Sequence, residues 1–177
     1  ILAQFESDKR RFQEIADRKD INTCGNLKFD QDVPKELEDI SETIKQDWSI
    51  DGMYRPTLIA ASTHETEEEE VLKAFKQILK SSPNALLILV PRHLERFDKV
   101  KKLINTSGLT LASRSKKDEV NRSTQVLLGD TIGELNFLYS LSDVAFVGGS
   151  LIDHGGQNLL EPVAQSLALL SGPSLRN

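Results

Sequence analysis

The 177-residue chain reads as an α/β protein, a parallel sheet with helices on both faces. Three observations predict it. Apolar runs of strand length alternate with segments whose apolar residues recur at helical spacing. The runs are continuous rather than alternating in and out, so both faces of the sheet are expected to be covered. Polar or glycine-rich signatures follow four of the runs, at the carboxyl ends where such sheets hold ligands.

Residues 4–18 are charged, with Phe5, Phe12 and Ile15 spaced as in a helix. Residues 21–27 read as a short strand or extended crossing, and 28–34, polar and ending in proline, as a linker. Leu37, Ile40, Ile44 and Trp48 give a helix over 35–48, broken by Gly52 to Pro56. Residues 57–61 form a strand. Residues 65–80 carry the stripe Val71, Ala74, Phe75, Ile78 and Leu79 of an amphipathic helix. Its acidic run, Glu67 to Glu70, is expected to be a solvated first turn favoured by the helix dipole. Strand 85–90, a helix marked by Leu94, Phe97, Val100, Leu103 and Ile104, and strand 109–112 follow. Residues 113–122 form a charged surface loop. Strand 124–128, helix 132–141, strand 144–147, helix 158–165 and strand 167–170 complete the pattern.

Bulk properties narrow the function classes. A net charge of −5 excludes a general nucleic-acid surface but permits a local basic pocket. The single cysteine, Cys24, excludes an internal disulfide and is expected to be small and semi-buried. No apolar run reaches the ~18 residues of a membrane span, and no signal peptide is recognisable. The chain opens inside an apolar pattern at Ile1 and stops soon after Gly172-Pro173. It is therefore read as a soluble fragment of a longer protein.

The four strand ends carry the chemistry. After strand 57–61 comes Ser62-Thr63-His64-Glu65, where Ser62 and Glu65 have capping-box spacing. A capped helix there still presents free N–H groups, and His64 suits either a phosphate or sugar contact or a structural role. After strand 85–90 comes Pro91-Arg92-His93, where the Arg92 guanidinium is placed to pair with a phosphate or carboxylate. Arg96, a turn on, is expected to pair with Glu95 or face solvent. After strand 124–128, Thr131 and Glu134 again have capping-box spacing, and Asp130 suits either a cap or a contact to a base. After strand 144–147 runs Gly148-Gly149-Ser150 through Gly155-Gly156-Gln157-Asn158 to Glu161-Pro162. Such a loop either brings bare backbone N–H groups to a phosphate or simply makes a tight turn. Glu161, in the first helical turn, is placed to accept from ribose hydroxyls. Zinc spacings, a GxxxxGK[ST] phosphate loop, a GxSxG elbow and a GxGxxG fingerprint are all missing from the sequence.

Taken in order, these motifs resemble those of the 3-deoxy-D-manno-octulosonic acid (Kdo) transferases of Gram-negative lipopolysaccharide synthesis. The resemblance covers nearly the whole chain, including Leu2-Ala3-Gln4 and Gly25-Asn26-Leu27-Lys28-Phe29-Asp30. It implies a Rossmann-like domain, the C-terminal half of a GT-B glycosyltransferase. Residues 1–34 would be the end of the N-terminal acceptor domain plus linker, and 35–177 the nucleotide-sugar-binding domain, incomplete at its C-terminus.

The implied donor is CMP-Kdo, and the implied acceptor a lipid A precursor held by the missing half. That half would also supply membrane association, at the cytoplasmic face of the inner membrane, and the general base. No catalytic residue, metal or cofactor is expected within this chain. The resemblance makes Ser62, His64, Glu65, Arg92, His93, Gly133, Gly149, Ser150, Gly156, Asn158 and Glu161 the donor-binding set. Arg92 and the N–H groups near Ser62 and Ser150 would stabilise the departing phosphate, Glu161 with Asn158 would hold the ribose, and cytosine would lie near His93 and Gly133. The chain departs from the family at Thr66, where glycine is usual. Two other readings stand beside this one: a UDP-sugar transferase or UDP-N-acetylglucosamine 2-epimerase of the same architecture, and a non-enzymatic α/β interaction module.

Overall fold

The structure, a computed structural model, describes residues 1–25 and 34–175. The expected linker, apart from Pro34, lies outside the described residues. The chain divides into two compact units, Ile1–Asp32 and Val33–Asn177.

In the first unit, strands β1 (Leu2–Ala3) and β2 (Asn22–Thr23) pair in parallel around helix α1 (Glu6–Ala16). Ala3 and Ile21 are its buried apolar residues. Cys24 is exposed rather than semi-buried, because it follows the last residue of this short ladder.

The second unit holds helix α2 (Lys35–Asp47), strand β3 (Thr57–Thr63), helix α3 (Glu67–Ser81) and strand β4 (Leu86–Pro91). A 3₁₀ turn (Leu94–Arg96) leads into α4 (Phe97–Thr106), and strands β5 (Leu111–Ser113) and β6 (Val126–Leu128) follow. Helix α5 (Leu135–Ser140), strand β7 (Val144–Val147), helix α6 (Leu160–Ala164) and strand β8 (Ala168–Leu170) close the order. All strands of the six-stranded sheet are parallel, in the order β5-β6-β4-β3-β7-β8.

Period-two alternation of purely apolar strands splits the core in two. Ile59, Ala61, Leu86, Ile88 and Val90 face α2 and α5, packing with Leu138, Tyr139 and Leu141. Ala60, Leu87, Leu89, Val126 and Leu128 face α3 and α4, packing with Leu72, Phe75, Val100 and Ile104. Phe75 is 1% exposed. Truncating such a ring to alanine costs about 3–5 kcal/mol, so the α3 stripe anchors the turn that precedes it.

Arg55, just before β3, is also buried. Its guanidinium donates to the carbonyls of Asn84 and Asn121, at 2.8 and 3.1 Å, and to that of Thr124. These carbonyls precede β4 and β6, so one cation ties the amino ends of three strands together. Desolvation lowers its pKa from the usual guanidinium value.

Candidate donor-binding site

The sheet order places the carboxyl ends of β4, β3 and β7 side by side, at the point where the chain switches from building one edge to building the other. That crevice is where open α/β sheets bind ligands. The first strand reaches it by an irregular route. Ser62 takes a φ of 54°, and the β3–β4 register slips between Ala61 and Thr63. This bulge pushes the backbone against the end of β7. A Cβ on Gly148 would lie 2.4 Å from the Ser62 carbonyl oxygen and 2.7 Å from Thr63 Cα, so only glycine fits.

The expected Ser62–Glu65 capping box does not form. Helix α3 begins two residues later than Glu65, with Thr66 at its amino end in a φ of 75° and no side-chain cap. The acidic run is not a solvated turn either. Glu67 and Glu68 are 1% and 0% exposed. Glu67 Oε2 accepts from the N–H groups of His64 and Gly149, at 2.9 and 2.8 Å. Its Oε1 accepts from Ser150 and Leu151, at 3.1 and 3.0 Å. Glu68 is gripped by the Arg96 guanidinium at 3.0 and 3.1 Å. Arg96 also pairs with Glu65 at 3.2 Å, not with Glu95 or open solvent. The two buried carboxylates are thus satisfied in different ways, one by backbone donors and one by a cation.

These bonds occupy several of the groups expected to meet the donor. Glu65 is engaged by Arg96. The Gly149 and Ser150 N–H groups are engaged by Glu67, which leaves them no donor for a phosphate in this conformation. Ser150 is a hub of the loop: its hydroxyl donates to Val147 O at 2.7 Å and accepts from Gly172 N at 2.9 Å. The loop folds back on itself through Gly156 N to Gly149 O and Gln157 N to Gly148 O, at 2.8 and 3.0 Å. Further along, Asn158 Oδ1 accepts from Leu160 N and its Nδ2 donates to Glu161 Oε1, each at 3.0 Å. That pair holds Glu161 at the start of α6.

What the sequence did not reveal is that the chain's three histidines meet here. The His64 ring centroid lies 5.4 Å from that of His93 and 4.7 Å from that of His154. His64 Nε2 is 3.2 Å from Gln157 Nε2. An amide nitrogen only donates, so the ring nitrogen accepts. Burial pushes His64 below the ordinary histidine pKa, and His154, His93 and Arg92 push the same way against the pull of Glu67. Arg92 is exposed beside them, its guanidinium without an ion pair or hydrogen bond among the described residues. No set of groups suited to a metal occurs among the described residues.

A cleft of about 400 Å³ opens next to this cluster. Ser62, Arg92, His93, Ile132 and Gly133 line it, which joins residues from three of the four signatures. The third signature is itself pinned. Asp130 accepts from Ser113 Oγ, Ser115 N and Ser115 Oγ at 2.7, 2.8 and 2.6 Å. Glu134 accepts a two-pronged bond from Arg114 at 3.0 and 2.8 Å and one from Thr131 Oγ1 at 2.5 Å. Thr131 therefore bonds Glu134 rather than capping α5, which starts at Leu135 without a side-chain cap.

Comparison with known proteins follows the same line. No family model matches the chain. A 3-deoxy-D-manno-octulosonic acid transferase of Haemophilus influenzae is 42% identical over 97% of this chain and 40% of its own length. One from Bordetella pertussis is 35% identical over 100% of this chain and 41% of its own length. The chain thus spans about two fifths of the curated relatives it matches. Among solved structures, the C-terminal CMP-Kdo binding domain of WaaA from Acinetobacter baumannii superimposes with a TM-score of 0.73 at 37% identity. The match covers 80% of this chain and 72% of that domain. On the strength of that solved domain and these sequences, this chain belongs to the 3-deoxy-D-manno-octulosonic acid transferase family.

Proposed function

We propose that this chain is the donor-binding part of a glycosyltransferase that moves Kdo from CMP-Kdo to a lipid A precursor. The observation that carries the reading is the meeting of Arg92 with His64, His93 and His154 beside the cleft at the ends of β3, β4 and β6. CMP-Kdo brings two anionic groups, a phosphodiester and a sugar carboxylate. Arg92 and the imidazoles supply donors for them, and Asn158 sits beside Glu161 at the ribose. Glu161 accepts from the ribose hydroxyls. Cytosine lies against the His93 and Gly133 side of the cleft.

In the reaction, a carboxylate elsewhere in the full-length enzyme takes the proton of a lipid A hydroxyl. The oxygen attacks the anomeric carbon from the face opposite the phosphate, so configuration inverts. The bond from that carbon to the phosphate oxygen breaks, and its electron pair leaves with CMP. Fixed cations and dipoles aimed at the leaving phosphate lower this barrier. CMP carries one phosphate, so the step invokes no diphosphate-clamping metal. The first unit would belong to the acceptor half, and this chain alone would not turn over. Attachment to the inner membrane would reside in the remainder of the enzyme, since no helix among the described residues is long and apolar enough to cross a membrane.

Calorimetric titration with CMP, UMP and UDP tests the reading. CMP is expected to bind selectively. Arg92→Ala and Glu161→Ala should each weaken it about tenfold to a hundredfold, the worth of one hydrogen bond to a charged group. Tighter binding of UDP would move the chain to the UDP-sugar enzymes, and no nucleotide binding by the folded chain would refute the donor site.

A further inference from the structure

We propose that Glu67 is a built-in anion that shapes the donor site, a positioning residue rather than a ligand of the substrate. This rests on the donor-binding reading above. Three successive N–H groups, of Gly149, Ser150 and Leu151, point into one concavity, with Gly149 at a φ of 71°. Concavities of this kind bind phosphates and other anions. Here the chain fills its own, and a fourth N–H, from His64, closes the far side.

Glu67 has no ion-pair partner among the described residues, so these four backbone donors are its compensation for being buried. They come from two segments far apart in sequence, the β3–α3 turn and the loop after β7. The carboxylate therefore fixes the turn bearing the His64 ring against the loop that continues to Gln157, Asn158 and Glu161. The 3.2 Å contact between His64 Nε2 and Gln157 crosses the same junction. A phosphate is thereby kept out of the first glycine pair and left to the histidines and Arg92.

Glutamine is not an adequate replacement. Its single oxygen can face only one pair of N–H groups, and its NH₂ would confront the other pair donor to donor. Aspartate keeps the charge but is one methylene short of spanning both segments.

The test uses the whole chain, with CMP as probe and amide NMR spectra as a second readout. Glu67→Gln and Glu67→Asp should shift the Gly149, Ser150 and Leu151 amides and weaken CMP binding about tenfold or more. In Glu67→Ala, formate or acetate should enter the vacated concavity, return those amides toward their wild-type positions and restore CMP affinity. The same salts should leave the wild type unchanged. Should the alanine variant not fold, Glu67→Asp decides. Wild-type CMP affinity in the glutamine or aspartate variant would overturn the proposal while leaving the donor site standing. Absence of formate rescue in a folded alanine variant would overturn it as well. Failure of the wild type to bind CMP would instead refute the donor reading and this inference with it.

Discussion

Replacing Thr66 with glycine should stabilise the chain. Thr66 holds φ 75° and ψ −34° at the start of α3. A β-branched side chain at positive φ is a true outlier, because Cβ crowds the backbone. Residues kept in such regions cost about 1–3 kcal/mol. Glycine removes that strain but adds about 0.5–1 kcal/mol of unfolded-chain entropy. Little else is lost, since the Thr66 side chain is exposed and caps nothing. The net gain is about 1 kcal/mol, or about 2–4 °C in Tm for a chain of this size. Urea unfolding followed by circular dichroism would show a higher midpoint with an unchanged slope. Thr66→Ala, which keeps Cβ, serves as the control and should gain much less. A midpoint for Thr66→Gly at or below wild type would refute the strain argument.

Two other outcomes follow from the same region. Gly148→Ala should destabilise by about 2 kcal/mol or more, as overpacking against fixed backbone does, because its Cβ would sit 2.4 Å from Ser62 O; a urea midpoint close to wild type would contradict the close approach. His64 gives a pH dependence. Its pKa is lowered in the folded chain, chiefly by burial and further by His154, His93 and Arg92, so the unfolded chain binds the extra proton first. The stability tied to the neutral ring is therefore complete above the ordinary histidine value of about 6.5 and lost as pH falls through the lower folded value. Urea midpoints at pH 7.5 and pH 5.5 should differ more for wild type than for His64→Gln, and an equal pH dependence in the two would count against it.

The sheet was legible because its strands are unbroken apolar runs, and β7 falls where the pattern put it, at Val144–Val147. Helix ends moved by a few residues, as at α3 and α5, where Ser/Thr-x-x-Glu spacing matched a capping box that the backbone does not use. β5 runs Leu111–Ser113 instead of starting at residue 109. The acidic run misled for a physical reason. Glu67 and Glu68 precede Val71 by four and three residues, so they share its buried stripe. The helical period carried that signal, but charge suggested solvent. Nothing in residue type announces that a carboxylate's partners are backbone N–H groups. The histidine cluster was hidden too, because residues 64, 93 and 154 become neighbours only through the strand order.

Arg55 has a consequence for how the molecule comes apart. Its hold on the carbonyls of Asn84, Asn121 and Thr124 seals the sheet at the end opposite the ligand crevice. The crevice end is instead made of loops, turns and exposed cations, the parts of a protein that open most readily. The two ends should then keep different clocks: amides near the arginine exchange with solvent only when the whole domain unfolds, while those around the crevice exchange during small local openings.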